Sequence, residues 1–128
     1  MFERQSIKLE LPYPPSVNHY YRNIQGRTLI SKDGREYAQR VYGEVLEKRS
    51  LGKLPPEALG NADLWIEIYA TPPDKRVRDI DNLLKPLLDA IRKSDLIEDD
   101  RWIKDLRVVM GTSDGTGQGR VRIEIGYR

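Results

Sequence analysis

The chain has 128 residues, enough for one compact domain with a hydrophobic core and too few for two domains of ordinary size. Apolar residues make up 38% and charged residues 33% of the sequence, a mixture too apolar for a disordered chain and too polar for a membrane protein. The net charge is +2. Because the sequence has no cysteine and only one histidine, it excludes disulfides, thiolate zinc sites and histidine-rich metal sites, and carboxylates remain as the abundant metal ligands.

The same features suggest where the chain works. The sequence shows no signal peptide and no long apolar segment, and the absence of cysteine is typical of a reducing compartment. We therefore expect a single domain over residues 1–128, located in the cytoplasm and without a membrane partner. The net charge of +2 is compatible with a polyanionic ligand such as DNA but does not require one.

The first part of the chain predicts a strand and a helix joined by an irregular segment. Apolar and polar residues alternate from Ile7 to Leu11, the period of a strand with one buried face, before prolines end the pattern. The segment from Ser16 to Ile30 predicts a loop or irregular hairpin with Gly26 at its turn. Ser31 is a predicted N-cap for an amphipathic helix from about Lys32 to Arg49.

The middle of the chain predicts a second strand and a second helix. Alternation returns from Leu64 to Ala70 and ends at Pro72. A helix is expected to begin near Asp81 or Asn82 and to end at about Ser94, because apolar residues there recur at helical spacing. That apolar stripe consists of Ile80, Leu83, Leu84, Leu87, Leu88 and Ile91.

Two final alternating runs, 106–110 and 121–127, flank the glycine-rich segment from Gly111 to Gly119 and predict a closing hairpin with a mobile tip. Four strands with one apolar face and two helices with one apolar stripe are all buried if the helices cover one side of a single sheet. The predicted fold is therefore α/β of the α+β type, a two-layer sandwich of one mixed, mainly antiparallel four-stranded sheet with two helices.

A pair of aspartates precedes the second predicted helix. Asp79 and Asp81 can face the same way only if the chain at Asp79 is extended, since residues two apart lie on opposite sides of a helix. Pro86 favours a late helix start, because it cannot donate to the carbonyl of Asn82. Asp81 then lies at the helix N-terminus, which favours its charged form, and Lys85 lies one turn further along the same face.

A second group of acids, Glu98, Asp99 and Asp100, follows that helix. Neighbouring like charges repel unless a cation neutralises them, and either Asp99 or Asp100 could complete a three-carboxylate site with Asp79 and Asp81. Carboxylates that hold Mg²⁺ beside a phosphate are a standard arrangement for phosphodiester hydrolysis. Alternatively, the acids are helix caps and solvated loop residues that nearby basic residues balance.

Basic and aromatic residues near these acids are candidate DNA contacts. Aromatic rings and guanidinium groups stack on unpaired bases, and lysine and arginine bind phosphates. Ordinary loop packing and charge balance are the alternatives, and Asn18 also suits a turn. The candidates are Asn18, Tyr21, Arg22, Lys75, Arg76, Arg78 and Arg120.

Two separated motifs carry a resemblance to a known family. The run 78–85 (RDIDNLLK), followed by 88–90 (LDA) and 97–100 (IEDD), resembles the core of RusA-family Holliday junction resolvases. The opening run 11–18 (LPYPPSVN), with YYR at 20–22, resembles the start of the same family. Since both motifs occur in the family's order, the resemblance covers nearly the whole chain.

The resemblance implies a Mg²⁺-dependent endonuclease, with Mn²⁺ able to substitute, that acts as a homodimer and nicks two opposing strands of a four-way DNA junction. By motif, Asp79, Asp81 and Asp100 are the metal ligands and Lys85 is the assisting cation, while the adjacent Asp99 remains an alternative ligand. Two other functions stay open from the residues alone: a non-catalytic module that binds DNA junctions, and a nucleotidyl or glycosyl transferase with an Asp-x-Asp metal site.

Overall fold

A computed structural model describes residues 5–127. The elements in chain order are β1 (Gln5–Pro12), α1 (Val17–Tyr20), β2 (Tyr21–Ile24), β3 (Arg27–Ile30), α2 (Lys32–Ser50), β4 (Leu64–Thr71), α3 (Asp81–Lys93), a 3₁₀ turn (Asp100–Trp102), β5 (Ile103–Met110) and β6 (Arg120–Tyr127). The predicted strands and both longer helices are therefore present, close to their expected bounds.

The main sheet has four strands in the order β1-β6-β4-β5. The pairs β1–β6 and β6–β4 are antiparallel, whereas β4 and β5 are parallel. The predicted α+β fold with a mixed, mainly antiparallel four-stranded sheet is confirmed.

The predicted closing hairpin is wrong, because β4 lies between β5 and β6 in the sheet. A parallel pair requires a crossover connection, and α3 provides it between β4 and β5. The glycine-rich segment 111–119 then passes across the end of β4 to reach β6, over two strand spacings, or about 10 Å.

The irregular N-terminal segment contains a one-turn helix, α1, and the separate two-stranded sheet of β2 and β3. The turn between these strands consists of Gln25 and Gly26, with φ angles of 51° and 75°. Two positive φ angles are typical of the tight turns that match strand twist, and glycine adopts them without strain. The predicted irregular hairpin with Gly26 at its turn is thereby confirmed.

Helix α2 begins where the sequence predicts. The Ser31 hydroxyl accepts a hydrogen bond of 3.0 Å from the backbone N–H of Gly34, which satisfies one of the free donors of the first turn. The Ser31 backbone N–H also donates to the carbonyl of Tyr20 at 2.8 Å. A side chain at position 34 would collide with that carbonyl, so the start of α2 packs directly on the end of α1.

One face of the main sheet and the inner faces of α2 and α3 share a single core. Its largest fully buried members include Leu11, Val41, Ile66, Leu87 and Ile125. The opposite sheet face, which we call the open sheet face, carries residues such as Glu67, Tyr69 and Arg107, all exposed. No helix within residues 5–127 combines the length and apolar character needed to cross a membrane.

The predicted apolar stripe of α3 needs one correction. Leu83, Leu87 and Ile91 are buried, but Ile80 is 42% exposed. Helix α3 begins at Asp81, so Ile80 precedes the stripe and lies at the surface beside the two aspartates.

Candidate active site

The start of α3 separates Asp79 from Asp81. Asp81 is the first residue of the helix, as predicted, and Asp79 lies in the preceding loop. The N–H of Asn82 donates to the carbonyl of Asp79 at 3.2 Å, which anchors the loop on the first helical turn. Asp81 therefore lies among the free N–H groups of the helix N-terminus, where a negative charge is favoured.

A cleft of about 360 Å³ lies along the exposed side of α3. Helix α3 contributes Asp81 and Lys85, and the 3₁₀ turn contributes Asp100. The other residues that line the cleft are Tyr21, Leu84, Leu88, Asp89 and Arg92. The structure thus brings Asp100 from the 3₁₀ turn into the same cleft as Asp81 and Lys85 of α3, so that two of the predicted metal ligands and the predicted lysine share it.

Asp79 lines a different pocket, of about 420 Å³, together with His19, Arg76, Arg78 and Asn82 among others. The backbone already turns between the two aspartates, since Ile80 has helical dihedral angles (φ −57°, ψ −42°) and is not extended. Within residues 5–127, no three acidic or histidine side chains lie close enough together to hold one metal ion. The structure therefore places Asp81 and Asp100 along one cleft and Asp79 in another pocket.

Asp99 and Asp100 have different roles in the structure. Oδ1 of Asp99 accepts a hydrogen bond of 2.9 Å from the backbone N–H of Arg101, which caps the 3₁₀ turn. That hydrogen bond is the main cause that lowers the pKa of Asp99. Asp100, in contrast, lines the cleft. Asp100 is therefore the member of this acidic pair that accompanies Asp81.

The donor groups of the cleft fit a hard divalent cation. Asp81 and Asp100 offer carboxylate oxygens, and both residues are exposed to solvent. Mg²⁺ keeps several water ligands and is commonly held by one or two carboxylates together with substrate phosphates. Two carboxylates in an open cleft are consistent with that mode of binding, and they do not require a closed protein cage.

Tyr21 and Asp89 connect the cleft to the N-terminal part of the chain. The ammonium group of Lys85 lies 5.0 Å from the centre of the Tyr21 ring. The next residue back, Tyr20, is fully buried, and its hydroxyl donates to Asp89. Burial and this hydrogen bond raise the pKa of Tyr20, so the hydroxyl remains a donor. From the sequence, Tyr21 is only a candidate base contact. Its distance along the chain from α3 does not predict that its ring meets Lys85 or that Tyr20 bonds to Asp89.

The basic loop before α3 is organised by Asp74. Its carboxylate forms ion pairs with Arg78 at 2.8 Å and with Arg76 at 3.1 Å. Hydrogen bonds from Arg78, then Arg76, hold the pKa of Asp74 well below its ordinary value. The Arg78 side chain is only 19% exposed and lies over the ring of Tyr13, whereas Arg76 and Lys75 are exposed.

The remaining candidate DNA contacts lie apart from this loop. Asn18 is exposed on α1, and Arg22 is exposed on β2. Arg120, at the start of β6, forms an ion pair of 2.6 Å with Asp114 in the glycine-rich segment. Asn18, Arg22 and Lys75 therefore present their side chains to solvent. Arg76, Arg78 and Arg120 are each paired with a carboxylate, although Arg76 stays largely exposed.

Comparison with known proteins identifies the family. The family model described as Endodeoxyribonuclease RusA matches residues 12–126. The crossover junction endodeoxyribonuclease rusA of Enterobacteria phage HK97 is 34% identical over 113 residues, 88% of this chain and 89% of that protein. The protein of the same name from Enterobacteria phage 82 is 39% identical over 105 residues, which cover 79% of this chain and 79% of that protein. The one from Escherichia coli (strain K12) is 38% identical over 105 residues, which cover 81% of this chain and 82% of that protein. The chain belongs to the RusA family of endodeoxyribonucleases.

Proposed function

We propose that this chain is a Mg²⁺-dependent endodeoxyribonuclease of the cytoplasm that resolves four-way DNA junctions by paired symmetric nicks. The observation that carries the proposal is the cleft in which Asp81 and Asp100 lie beside Lys85. The relatives from phage HK97 and Escherichia coli are named crossover junction endodeoxyribonucleases, which supports junction DNA as the substrate.

In this proposal, Asp81 and Asp100 hold the cation, and Asp79, which lines a separate pocket, serves as a third acid. When bound, the cation supplies an activated water and neutralises charge at the scissile phosphate, and Mn²⁺ can replace Mg²⁺. Lys85 extends from the same helix face as Asp81 and offsets negative charge on a phosphate oxygen. None of these roles requires a covalent enzyme intermediate.

DNA binding is assigned to the basic residues around the cleft. Lys75 and Arg76 lie on the exposed loop before α3, and Arg22 follows the cleft residue Tyr21 on β2, so each can reach a phosphate of the DNA. Asn18 and Arg120 are proposed to contact the arms of the junction further away. Arg78 orients the loop through Asp74 and presents the rest of its guanidinium group to the DNA.

The proposed active form is a homodimer. A four-way junction has approximate two-fold symmetry, and two identical sites related by the same axis cut it at paired positions. One site alone would leave a single nick. Analytical ultracentrifugation is expected to give twice the mass of the 14.8 kDa chain, and a monomer at the concentrations used for cleavage would contradict this part of the proposal.

The decisive experiment uses a four-way junction labelled on each strand in turn, with Mg²⁺, with Mn²⁺ and with EDTA. Wild-type protein is expected to produce paired symmetric nicks only when a metal is present. Asp81→Asn should abolish cleavage while binding survives, because the change removes a metal ligand and reduces the repulsion of DNA. The matched control is Asp105→Asn, which alters an exposed aspartate of β5 outside the cleft and should cleave normally.

Each other outcome identifies a different function. Junction binding without cleavage in Mg²⁺ or Mn²⁺ would indicate a non-catalytic junction-binding module. Neither binding nor cleavage would leave a transferase as the remaining candidate. Cleavage by Asp81→Asn at the wild-type rate would remove the assignment of the cleft, and undiminished cleavage by Asp79→Asn would leave only Asp81 and Asp100 as ligands.

A further inference from the structure

Lys85 has few constraints of its own. Its side chain is exposed, and none of the ion pairs of 4.0 Å or less within residues 5–127 includes it, not even one with Asp81 in the preceding turn. A free lysine side chain samples many rotamers, so the ammonium group of an unconstrained Lys85 would spend little time at one point of the cleft. Catalysis that depends on this ammonium group requires something to hold it.

The contact that Lys85 does make is with Tyr21. The ammonium nitrogen lies 5.0 Å from the centre of the tyrosine ring, within the range in which the negative face of an aromatic ring attracts a cation. Both residues line the cleft that also contains Asp81 and Asp100. The ring of Tyr21 is therefore placed to fix the ammonium group beside the two carboxylates.

Tyr21 is itself fixed by two neighbours. Its backbone begins β2 and pairs with Ile30 of β3. Its ring meets the ring of Tyr20 edge-on, with the centres 4.7 Å apart and the planes at 66°. Tyr20 is fully buried and bonded to Asp89 of α3, the helix that also carries Lys85. The hydrogen bond between Tyr20 and Asp89 thus links the segment that carries Tyr21 to α3, which carries Lys85.

We propose that Tyr21 is a positioning residue, whose aromatic ring holds the ammonium group of Lys85 in the cleft. The catalytic consequence of this inference rests on the proposed function. The contact between Tyr21 and Lys85 does not, because it is present in the protein without metal or DNA. The positioning role differs from the role that the sequence suggests, in which Tyr21 stacks on an unpaired base. Positioning predicts a slower cleavage step with unchanged junction affinity, whereas base stacking predicts weaker binding.

The first test is spectroscopic and uses protein without metal or DNA. An aromatic ring shifts the signals of protons that lie over its face, so the ε-methylene signals of Lys85 are expected upfield of those of other lysines. Lys85→Arg identifies them by their loss. They should return to the ordinary lysine position in Tyr21→Leu and stay displaced in Tyr21→Phe, which keeps the ring. Tyr42→Leu, which removes an exposed tyrosine of α2, should leave them unchanged.

The second test measures single-turnover junction cleavage with Mg²⁺ at saturating protein. A cation–ring contact at an exposed site corresponds to roughly a two- to fivefold change in rate, so Tyr21→Leu should cleave about two- to fivefold more slowly while Tyr21→Phe and Tyr42→Leu cleave like wild type. The dissociation constant for the junction should be the same in all four proteins. Circular dichroism on each variant establishes that the fold is intact.

The outcomes separate the inference from the function on which it rests. Displaced Lys85 signals that persist in Tyr21→Leu would overturn the contact. Signals that move without a change in cleavage rate, or a loss of affinity without a change in rate, would overturn the positioning role. Failure of the wild-type protein to cleave would overturn the proposed function, and with it the catalytic role, while the spectra still decide the contact.

Discussion

The hydroxyl group of Tyr20 donates a hydrogen bond of 2.6 Å to Oδ2 of Asp89, which joins the end of α1 to the exposed side of α3. Asp89 also forms ion pairs with Arg92 at 2.9 Å and Lys93 at 3.1 Å. Because Asp89 lies one turn beyond Lys85, this bond ties the N-terminal segment to the helix that carries the cleft. The two sequence motifs that resemble the family are therefore in direct contact.

Replacing Tyr20 by Phe should destabilise the fold. The ring remains in the core, but a hydrogen bond to a charged group is lost, which corresponds to about 1.5–3 kcal/mol. Urea unfolding measures the change. Tyr42→Phe removes a hydroxyl from an exposed tyrosine and should change the free energy of unfolding by less than about 0.5 kcal/mol. Equal unfolding midpoints for the two variants would contradict this account of Tyr20.

Asp89 should make stability depend on pH in the acid range. Burial raises its pKa, but the Tyr20 hydroxyl, Lys93 and Arg92 outweigh that effect, so the folded-state pKa lies below the ordinary value of 3.8. Such a carboxylate contributes stability above pH 3.8, and the contribution is lost as the pH falls through the lower folded-state pKa. Asp89→Asn removes this contribution.

Unfolding measured from neutral to acid pH tests this prediction. The free-energy difference between wild type and Asp89→Asn should be constant near neutrality and should shrink below about pH 4, where the carboxylate of the unfolded chain becomes protonated. A difference that stays constant down to about pH 2 would show that the folded-state pKa of Asp89 is not lowered.

Gly126 and Gly43 should respond in opposite ways to replacement by Ala. A Cβ atom at position 126 would overlap the indole ring of Trp65 on the neighbouring strand, so Ala there should lower stability by about 1–3 kcal/mol. Gly43 lies inside α2 with open space around it, and Ala should raise stability by about 0.5–1 kcal/mol. Thermal unfolding of both variants measures the contrast, and a neutral Gly126→Ala would disprove the close packing at Trp65.

Features of this fold that depend on local sequence were predictable, and features that depend on distant pairing were not. The Ser31 cap, the Gly26 turn and the start of α3 follow from the residues at those points. The position of β4 between β5 and β6 does not, because alternation within a strand predicts its buried face and says nothing of its neighbour.

The candidate site shows the same division. The i,i+4 spacing of Asp81 and Lys85 on one helix face predicts that they share a cleft, and the resemblance adds Asp100. The separation of Asp79 depends on the dihedral angles of Ile80, which spacing alone does not determine. The contact between Tyr21 and Lys85 depends on the packing of β2 near α3, so it became visible only in the structure.

The two arginines of the loop before α3 should affect different properties. Arg76 has 81% of its side chain exposed, so Arg76→Ala should weaken junction binding and reduce the slope of log Kd against log salt concentration by about 1, as the loss of one phosphate contact predicts. The melting temperature of the Arg76→Ala variant should equal that of the wild-type protein. Arg107→Ala, on the open sheet face, should change neither property.

Arg78→Ala should instead lower the melting temperature as well as the affinity. Its side chain is largely buried, pairs with Asp74 and donates to the carbonyl groups of Asp74 and Arg76. Its loss removes these hydrogen bonds and leaves only the contacts between Arg76 and Asp74 to hold the loop. Binding titrations at several salt concentrations, combined with thermal unfolding, distinguish the two arginines. If Arg78→Ala changed the salt dependence but not the melting temperature, Arg78 would be a simple phosphate contact and Asp74 would not organise the loop through it.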